Sequence, residues 1–197
     1  MSNFLAIDTS SRHLTVLAVK DVKISLRHSP DCAMRHSVTL MDEIDAAMKE
    51  ANLTCAECGF FAAVTGPGSF TGIRIGISTV KGLALGAGKK LLGLTAFDVI
   101  AYNVKNENFA VCIDAAHDHY YARGYGKNAF APAYLSREEV EALGTSIYGF
   151  EELPLTGYTK LDVKDCLYPA ILAVKDGVTE DISALYVRKS QAEEGRK

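Results

Sequence analysis

Three short apolar runs open the chain, FLAIDTSS, LTVLAVK and VKISLRH, with the polar TSSRH between the first two. Their length and polar connections predict three strands in a meander. The period then changes. Across residues 35 to 51, Val38, Met41, Ile44, Met48 and Ala51 recur at three- and four-residue spacing, while Asp42, Glu43, Asp45, Lys49 and Glu50 are mostly free to face water. That spacing predicts a helix with one apolar face and one facing water. GFFAAVT is a buried strand by composition, Thr71 to Gly86 a long apolar helix carrying Ile73, Ile77, Val80 and Leu83, and KLLGLT a further strand. The order implies a mixed sheet in which helix-linked strands extend the meander.

After the polar NVKNEN the plan starts again. FAVCIDAAHDHYYARGYGK has the layout of FLAIDTSSRHLTVLAVK: apolar strand, Asp, small residues, strand, with Asp114 in the place of Asp8. The echo suggests duplicated lobes, divided here as residues 1–104 and 105–197. Ser136 and Glu139 stand in capping-box spacing and predict a short helix over SREEVEAL. Beyond it, Pro154, Gly157, Pro169 and Gly177 suggest short broken elements, ALYVRKS a last strand, and QAEEGRK a frayed polar tail.

Composition narrows the function classes. With 197 residues, 48% of them hydrophobic, the chain can build a real core. Lys and Arg number 21 against 24 Asp and Glu, so no overall positive field exists to attract a nucleic acid directly. The start lacks a basic n-region, and no run approaches a membrane span, so a cytoplasmic protein without membrane association is expected. Five cysteines at uneven spacing argue against a disulfide framework. Cys55 and Cys58 form one CxxC after a helical pattern; a zinc site lacks its other ligands, and a structural role is the better reading.

Two segments carry candidate chemistry. In IDTS, Asp8 at a strand end can hold a metal-bound water while Thr9 and Ser10 offer hydroxyls and amides to phosphate, and the same three residues equally suit an Asx-turn closing a hairpin. In TGPGSFTGIRIG, the Gly66-Pro67-Gly68 turn before a helix start can present amides to an anion without a lysine. It is not a GxGxxG dinucleotide fingerprint, because the third glycine, Gly72, falls four residues after Gly68. Gly72/Gly76 and Gly82/Gly86 each cost roughly 1 kcal/mol against alanine if internal to the helix, which calls for a close neighbour, in this chain or in a partner. His117-Asp118-His119 fits a hairpin turn better than a metal site, and no Ser-His-Asp or Cys-His set is defined.

LAIDTS, RHS around His36, TGPGSFTGIRIGISTVKGLALG and ALYVRKS together resemble the TsaB (YeaZ) family, the non-catalytic paralogues of the TsaD/Kae1 proteins. The resemblance is strong over the first half and looser over the second. It implies an α/β, actin-like/Hsp70-like (ribonuclease H-like) two-lobe fold with a reduced second lobe. It further implies an accessory subunit for N6-threonylcarbamoylation of tRNA adenosine, not an enzyme by itself and without a cofactor. Such a subunit pairs with a TsaD-type transferase, supports assembly with a TsaE-type ATPase, forms a homodimer when alone, and meets tRNA only indirectly.

Under this resemblance GLTAFDVIAY places Ala96 and Ile100 where the catalytic paralogue carries its metal-binding HxxxH histidines, and neither can bind a metal. Thr9 follows Asp8 where active relatives have glycine, and Ala116 replaces the arginine of an Asp-Ala-Arg motif, so Asp8, Thr9 and Ser10 are expected to be a vestigial phosphate loop. The helix after the glycine turn is implied to be the pairing surface, with Gly72, Ile73, Arg74, Gly76, Ile77 and Val80 as interface residues. The alternative is an independent small nucleotide-binding ATPase or kinase using the Asp8 hairpin.

Overall fold

A computed structural model describes residues 3–32 and 35–188. Strands β1 (Phe4–Asp8), β2 (Leu14–Lys20) and β3 (Lys23–Ser29) form the expected meander. Helix α1 (His36–Ala51), β4 (Phe60–Val64), α2 (Phe70–Ala87), β5 (Lys90–Leu94) and α3 (Ala96–Ala101) follow. The first sheet has the order β3-β2-β1-β4-β5, antiparallel through the meander and parallel from β1 to β5.

The second half builds β6 (Phe109–Asp114), β7 (His119–Tyr125), β8 (Phe130–Ser136), α4 (Arg137–Glu141), β9 (Ser146–Gly149), β10 (Tyr158–Lys160) and α5 (Val163–Val174). Its sheet runs β8-β7-β6-β9-β10, again with an antiparallel meander and parallel additions. The two sheets thus repeat one topology, and Asp8 and Asp114 end the equivalent central strands. The last two strands of the second sheet are four and three residues long. This is the two-lobed actin-like α/β fold.

Burial explains the layers. Every residue of β1 and β4 is buried, because both faces of the first sheet are covered. One face, with Leu5, Ile7, Val16 and Phe61, packs under α1 and α2. The other, with Phe4, Ala6, Leu17 and Phe60, shares a core with α3, α5 and the Phe109, Val111 and Ile113 face of the second sheet. Cys112, Tyr120 and Ala122 turn to a smaller core closed by Val140 of α4. The Ser136–Glu139 capping box forms as the spacing predicts.

Several expectations need correction. In α1 the buried stripe is His36, Leu40, Ile44, Ala47, Met48 and Ala51, whereas Val38 and Met41 are 69% and 54% exposed. Ile44, Met48 and Ala51 belong to both stripes, and the difference lies in the first turns, where Leu40 takes the buried place expected for Val38 and Met41. Pro169 does not break the chain but lies inside α5, where burial of Cys166, Leu167, Ala170 and Ile171 offsets the roughly 3 kcal/mol penalty of an internal proline. Pro132 sits in β8, an edge strand, where a missing N–H is tolerated. The described part of ALYVRKS is not a strand; it crosses as irregular chain, with Leu185 N–H donating to the Thr65 carbonyl at 2.8 Å. The QAEEGRK tail lies outside the described residues.

The two glycine pairs of α2 differ. A Cβ at Gly72 would collide with the Thr9 carbonyl and one at Gly76 with the Thr9 hydroxyl, whereas Gly82 and Gly86 face open space. Gly72→Ala is therefore expected to lower unfolding free energy by about 2 kcal/mol or more through forced displacement. Gly82→Ala should raise it by about 0.5–1 kcal/mol through helix propensity. Denaturant titration of both variants tests this, and equal effects would contradict the assigned face.

Candidate functional site

The glycine-rich turn is a packing device within the chain. Ser69 caps α2 by accepting from the Gly72 N–H, and its own N–H donates to the Ser10 carbonyl at 2.6 Å. Thr9 Oγ1 donates to the Gly72 carbonyl at 2.7 Å. Gly68, at φ +148°, leaves no room for a Cβ beside the Ser10 carbonyl. The N-terminal turns of α2 are thereby keyed onto the β1–β2 loop. Gly72, Ile73, Gly76, Ile77 and Val80 all lie on the buried face of α2, and Ile73 and Val80 are fully covered. Of the six residues expected to meet a partner, Arg74 alone is exposed. The other five already spend their apolar surface on the first sheet.

Asp8, Thr9 and Ser10 are brought together and buried. Asp8 Oδ1 accepts from the Ser10 N–H at 2.9 Å and the Ser10 hydroxyl at 2.6 Å, the Asx-turn arrangement. Asp8 Oδ2 pairs with His13 Nε2 at 3.0 Å. Burial would push the Asp8 carboxyl up, but the His13 charge and the hydrogen bonds from His13 and Ser10 hold it below the ordinary range. Burial likewise draws the His13 imidazole down, and Asp8, Glu151 and Asp162 outweigh it and raise it. His13 thus supplies the positive charge that a buried Asp8 requires. His13 is not among the candidate residues read from the sequence. The available signal was its place just before β2, from which the loop folds back onto the end of β1.

A cleft of about 600 Å³ opens beside this pair, between the lobes. Ser10, His13 and Gly68 line one side, and Asp114, Glu151, Glu152 and Lys160 the other. Burial pushes the Glu151 carboxyl up, while its Oε2 accepts the Asp114 N–H at 2.9 Å. Carboxylates dominate the wall facing Ser10, an unfavourable setting for a phosphate chain without added cations. Ala96 and Ile100 lie on α3 and are buried in the core. Among the described residues, no group of three or more His, Cys, Asp or Glu side chains could hold a metal ion. His117 and Asp118 take positive φ in the β6–β7 turn, and His119 stacks on Tyr134 with ring centroids 4.7 Å apart. Burial raises the Cys58 thiol to about 12, which removes it as a nucleophile at neutral pH.

On the outer side, α1 and α2 leave a groove of about 540 Å³ lined by Leu40, Met41, Phe70, Arg74 and Ile75. Val38 is the other exposed apolar residue of α1. Counting Val38 and Met41 as core hid this surface from the sequence reading. Among the described residues no helix is long and apolar enough to cross a membrane.

A family model described as TsaD, tRNA N6-adenosine threonylcarbamoyltransferase, matches residues 28–146, more than half of the chain. The tRNA threonylcarbamoyladenosine biosynthesis protein TsaB of Buchnera aphidicola subsp. Schizaphis graminum is 30% identical over 128 residues, covering 63% of this chain and 60% of that protein. TsaB of Escherichia coli K12 is 31% identical over 114 residues, 58% of this chain and 49% of that protein. The chain therefore spans about half to three-fifths of the length of these curated relatives. A crystal structure of a Pseudomonas aeruginosa protein, described as uncharacterized with similarity to peptidase YEAZ, superposes with a TM-score of 0.78 at 24% identity, over 95% of this chain and all of that one.

The Asp8–His13 pair sets a pH dependence. The folded value of Asp8 is depressed, so its contribution is present above the ordinary 3.8 and is lost as pH falls through the lower folded value. That of His13 is raised, so its contribution is full below 6.5 and is lost as pH rises through the higher folded value. His13→Gln is expected to destabilise by about 3 kcal/mol between pH 4 and 6, by stranding a buried carboxylate. The gap from wild type should narrow at higher pH as His13 loses its proton. Unfolding curves from pH 3 to 9 check this, and a gap independent of pH would refute the ion pair.

Proposed function

Because this chain belongs to the family whose model is described as TsaD, tRNA N6-adenosine threonylcarbamoyltransferase, and is similar to TsaB proteins over about three-fifths of its length, we propose that it is a non-catalytic scaffold subunit of the TsaB (YeaZ) kind in tRNA threonylcarbamoyladenosine biosynthesis. It pairs with a TsaD-type transferase and, through that pair, assembles with a TsaE-type ATPase. In the absence of the transferase it forms a homodimer, and it meets tRNA only through the complex. The observation that carries this reading is the apolar groove between α1 and α2, flanked by the exposed Val38 and Met41 on a face that the rest of the described chain leaves uncovered. The interface residues on α2 are then Arg74 with Phe70 and Ile75. Gly72, Ile73, Gly76, Ile77 and Val80 act from beneath, by fixing the helix on its sheet.

A scaffold role is also supported by the state of the interlobe cleft. Asp8 is neutralised by His13, and apolar Ala96 and Ile100 occupy the helix where the transferase family is expected to hold its metal. An independent ATPase would need to displace His13 from Asp8 and to counter Asp114, Glu151 and Glu152 before a nucleotide could enter.

Light scattering after size exclusion tests the scaffold reading, with the protein alone and mixed with the TsaD-type transferase of its genome. Val38→Asp/Met41→Asp should abolish the mixed species while leaving the melting temperature nearly unchanged, since both positions are exposed. Ile73→Asp should instead unfold the chain, by burying an unpaired charge. A gene deletion should deplete the modified nucleoside, and the double variant should fail to restore it. A complex that survives the double substitution, or a modification that survives the deletion, would overturn the proposal.

A further inference from the structure

After α5 the chain returns to the first sheet and passes over α2. Thr179 and Leu91 exchange two backbone hydrogen bonds of 2.7 and 2.9 Å, Asp181 pairs with Lys81 of α2, and Ile182 enters the core beside Gly93. The Leu185 bond to Thr65 then fixes the next residue, Tyr186, over the start of α2. Its ring packs against Phe70 with centroids 4.9 Å apart, and its hydroxyl accepts from Arg74 Nε at 3.0 Å. The Arg74 guanidinium carbon lies 3.8 Å from the Phe70 ring centroid and 5.9 Å from that of Tyr186.

Arg74 is an exposed arginine whose long side chain is nevertheless held on two sides. An aromatic ring lies against its guanidinium and a phenol accepts from Nε, while among the described residues the two terminal nitrogens make no hydrogen bond. Among the described residues, none of the ion pairs involves Arg74. A guanidinium fixed in this way has already lost the rotamer freedom that an arginine normally surrenders on binding, and its open edge matches the paired oxygens of a carboxylate. The apolar groove of Leu40, Met41 and Ile75 begins beside it.

We infer that Phe70 and the C-terminal segment residue Tyr186 hold Arg74 as a preformed carboxylate receptor at the end of the α1/α2 groove. The occupant is an apolar helix of the transferase that presents an Asp or Glu beside its hydrophobic face. This rests on the scaffold reading for the identity of the partner, and adds the third element of the surface and the chemistry it selects. Charge complementarity supports such a partner: the groove is largely apolar, and among the described residues the one charged side chain that lines it, Arg74, is a cation that pairs with no carboxylate. Tyr186 is a positioning residue, since it acts through Arg74.

Calorimetric titration of the transferase into wild type, Arg74→Lys, Arg74→Ala, Tyr186→Phe and Tyr186→Ala tests the assignment, with melting curves to confirm folding. Arg74→Lys keeps the charge but loses the fork, and should weaken binding about tenfold or more. Tyr186→Phe keeps the ring and loses the acceptor, and should cost a smaller factor, about threefold, with Tyr186→Ala between the two. Raising salt should weaken wild type more steeply than Arg74→Ala, a readout that a merely structural Tyr186 or Arg74 would not move. Wild-type affinity in both Arg74→Lys and Tyr186→Phe would overturn the receptor. Loss of affinity in the self-associated form alone, with transferase binding unchanged, would make a second copy the occupant and overturn the transferase. Failure of the wild-type protein to bind the transferase at all would overturn the scaffold reading and this partner with it.

Discussion

The close approach of α2 to the β1–β2 loop is the constraint on which the remaining structure depends. Two hydrogen bonds, from Ser69 N–H to the Ser10 carbonyl and from Thr9 Oγ1 to the Gly72 carbonyl, join elements about sixty residues apart in sequence. They form because the α2 residues facing Thr9 carry no side chain. That contact orients α2 on the first sheet, buries Ile73, Ile77 and Val80, and leaves Phe70, Arg74 and Ile75 beside the outer groove. It also holds the loop that carries Asp8 to His13 against the interlobe cleft. A glycine-rich turn that suggests phosphate binding by composition is here a joint between a helix and a strand end.

The cleft follows from the same joint. With Thr9 and Ser10 tied to α2, Asp8 is sealed from solvent, and a sealed carboxylate requires a partner. His13 provides it from the same loop, and its backbone carbonyl in turn accepts from His36 at the start of α1. The Asp8 hairpin, α1 and α2 are thus linked through one buried polar cluster. On the proposed reading, the residues inherited from a nucleotide site now serve as internal framework for the partner-binding face.

That face has three contributors. Helix α1 offers Val38 and Met41, α2 offers Phe70, Arg74 and Ile75, and the segment after Thr179 brings Tyr186 from the far end of the chain. The return of this segment to β5 and Thr65 also ties the last described residues to the first lobe, while Arg188 extends to Tyr134 of the second. The segment that touches the outer surface of α2 at Arg74 thus also contacts the second lobe at Tyr134.

Apolar runs, their period and the polar breaks between them determined the meander, α1, β4, α2, β5 and the second hairpin, because each of these signals lies within a short span of chain. The repeat of Asp8 in Asp114 was legible in the same way, and it marks equivalent positions in two sheets of one topology. The short strands β9 and β10 were not legible, since three or four residues hold no full pattern, and α5 was hidden because a local rule about Pro169 is overridden by burial against distant strands. Glycines at 72 and 76 announced a close neighbour, but only the tertiary structure decided that the neighbour is Thr9 of the same chain. The orientation of α1 was decided there too, since Val38 and Leu40 differ in exposure through what lies beneath each, not through their chemistry. Arg74 was visible as a candidate from its place in the motif. Its pairing with Tyr186 was not, because contacts between residues 112 apart leave no periodic trace in sequence.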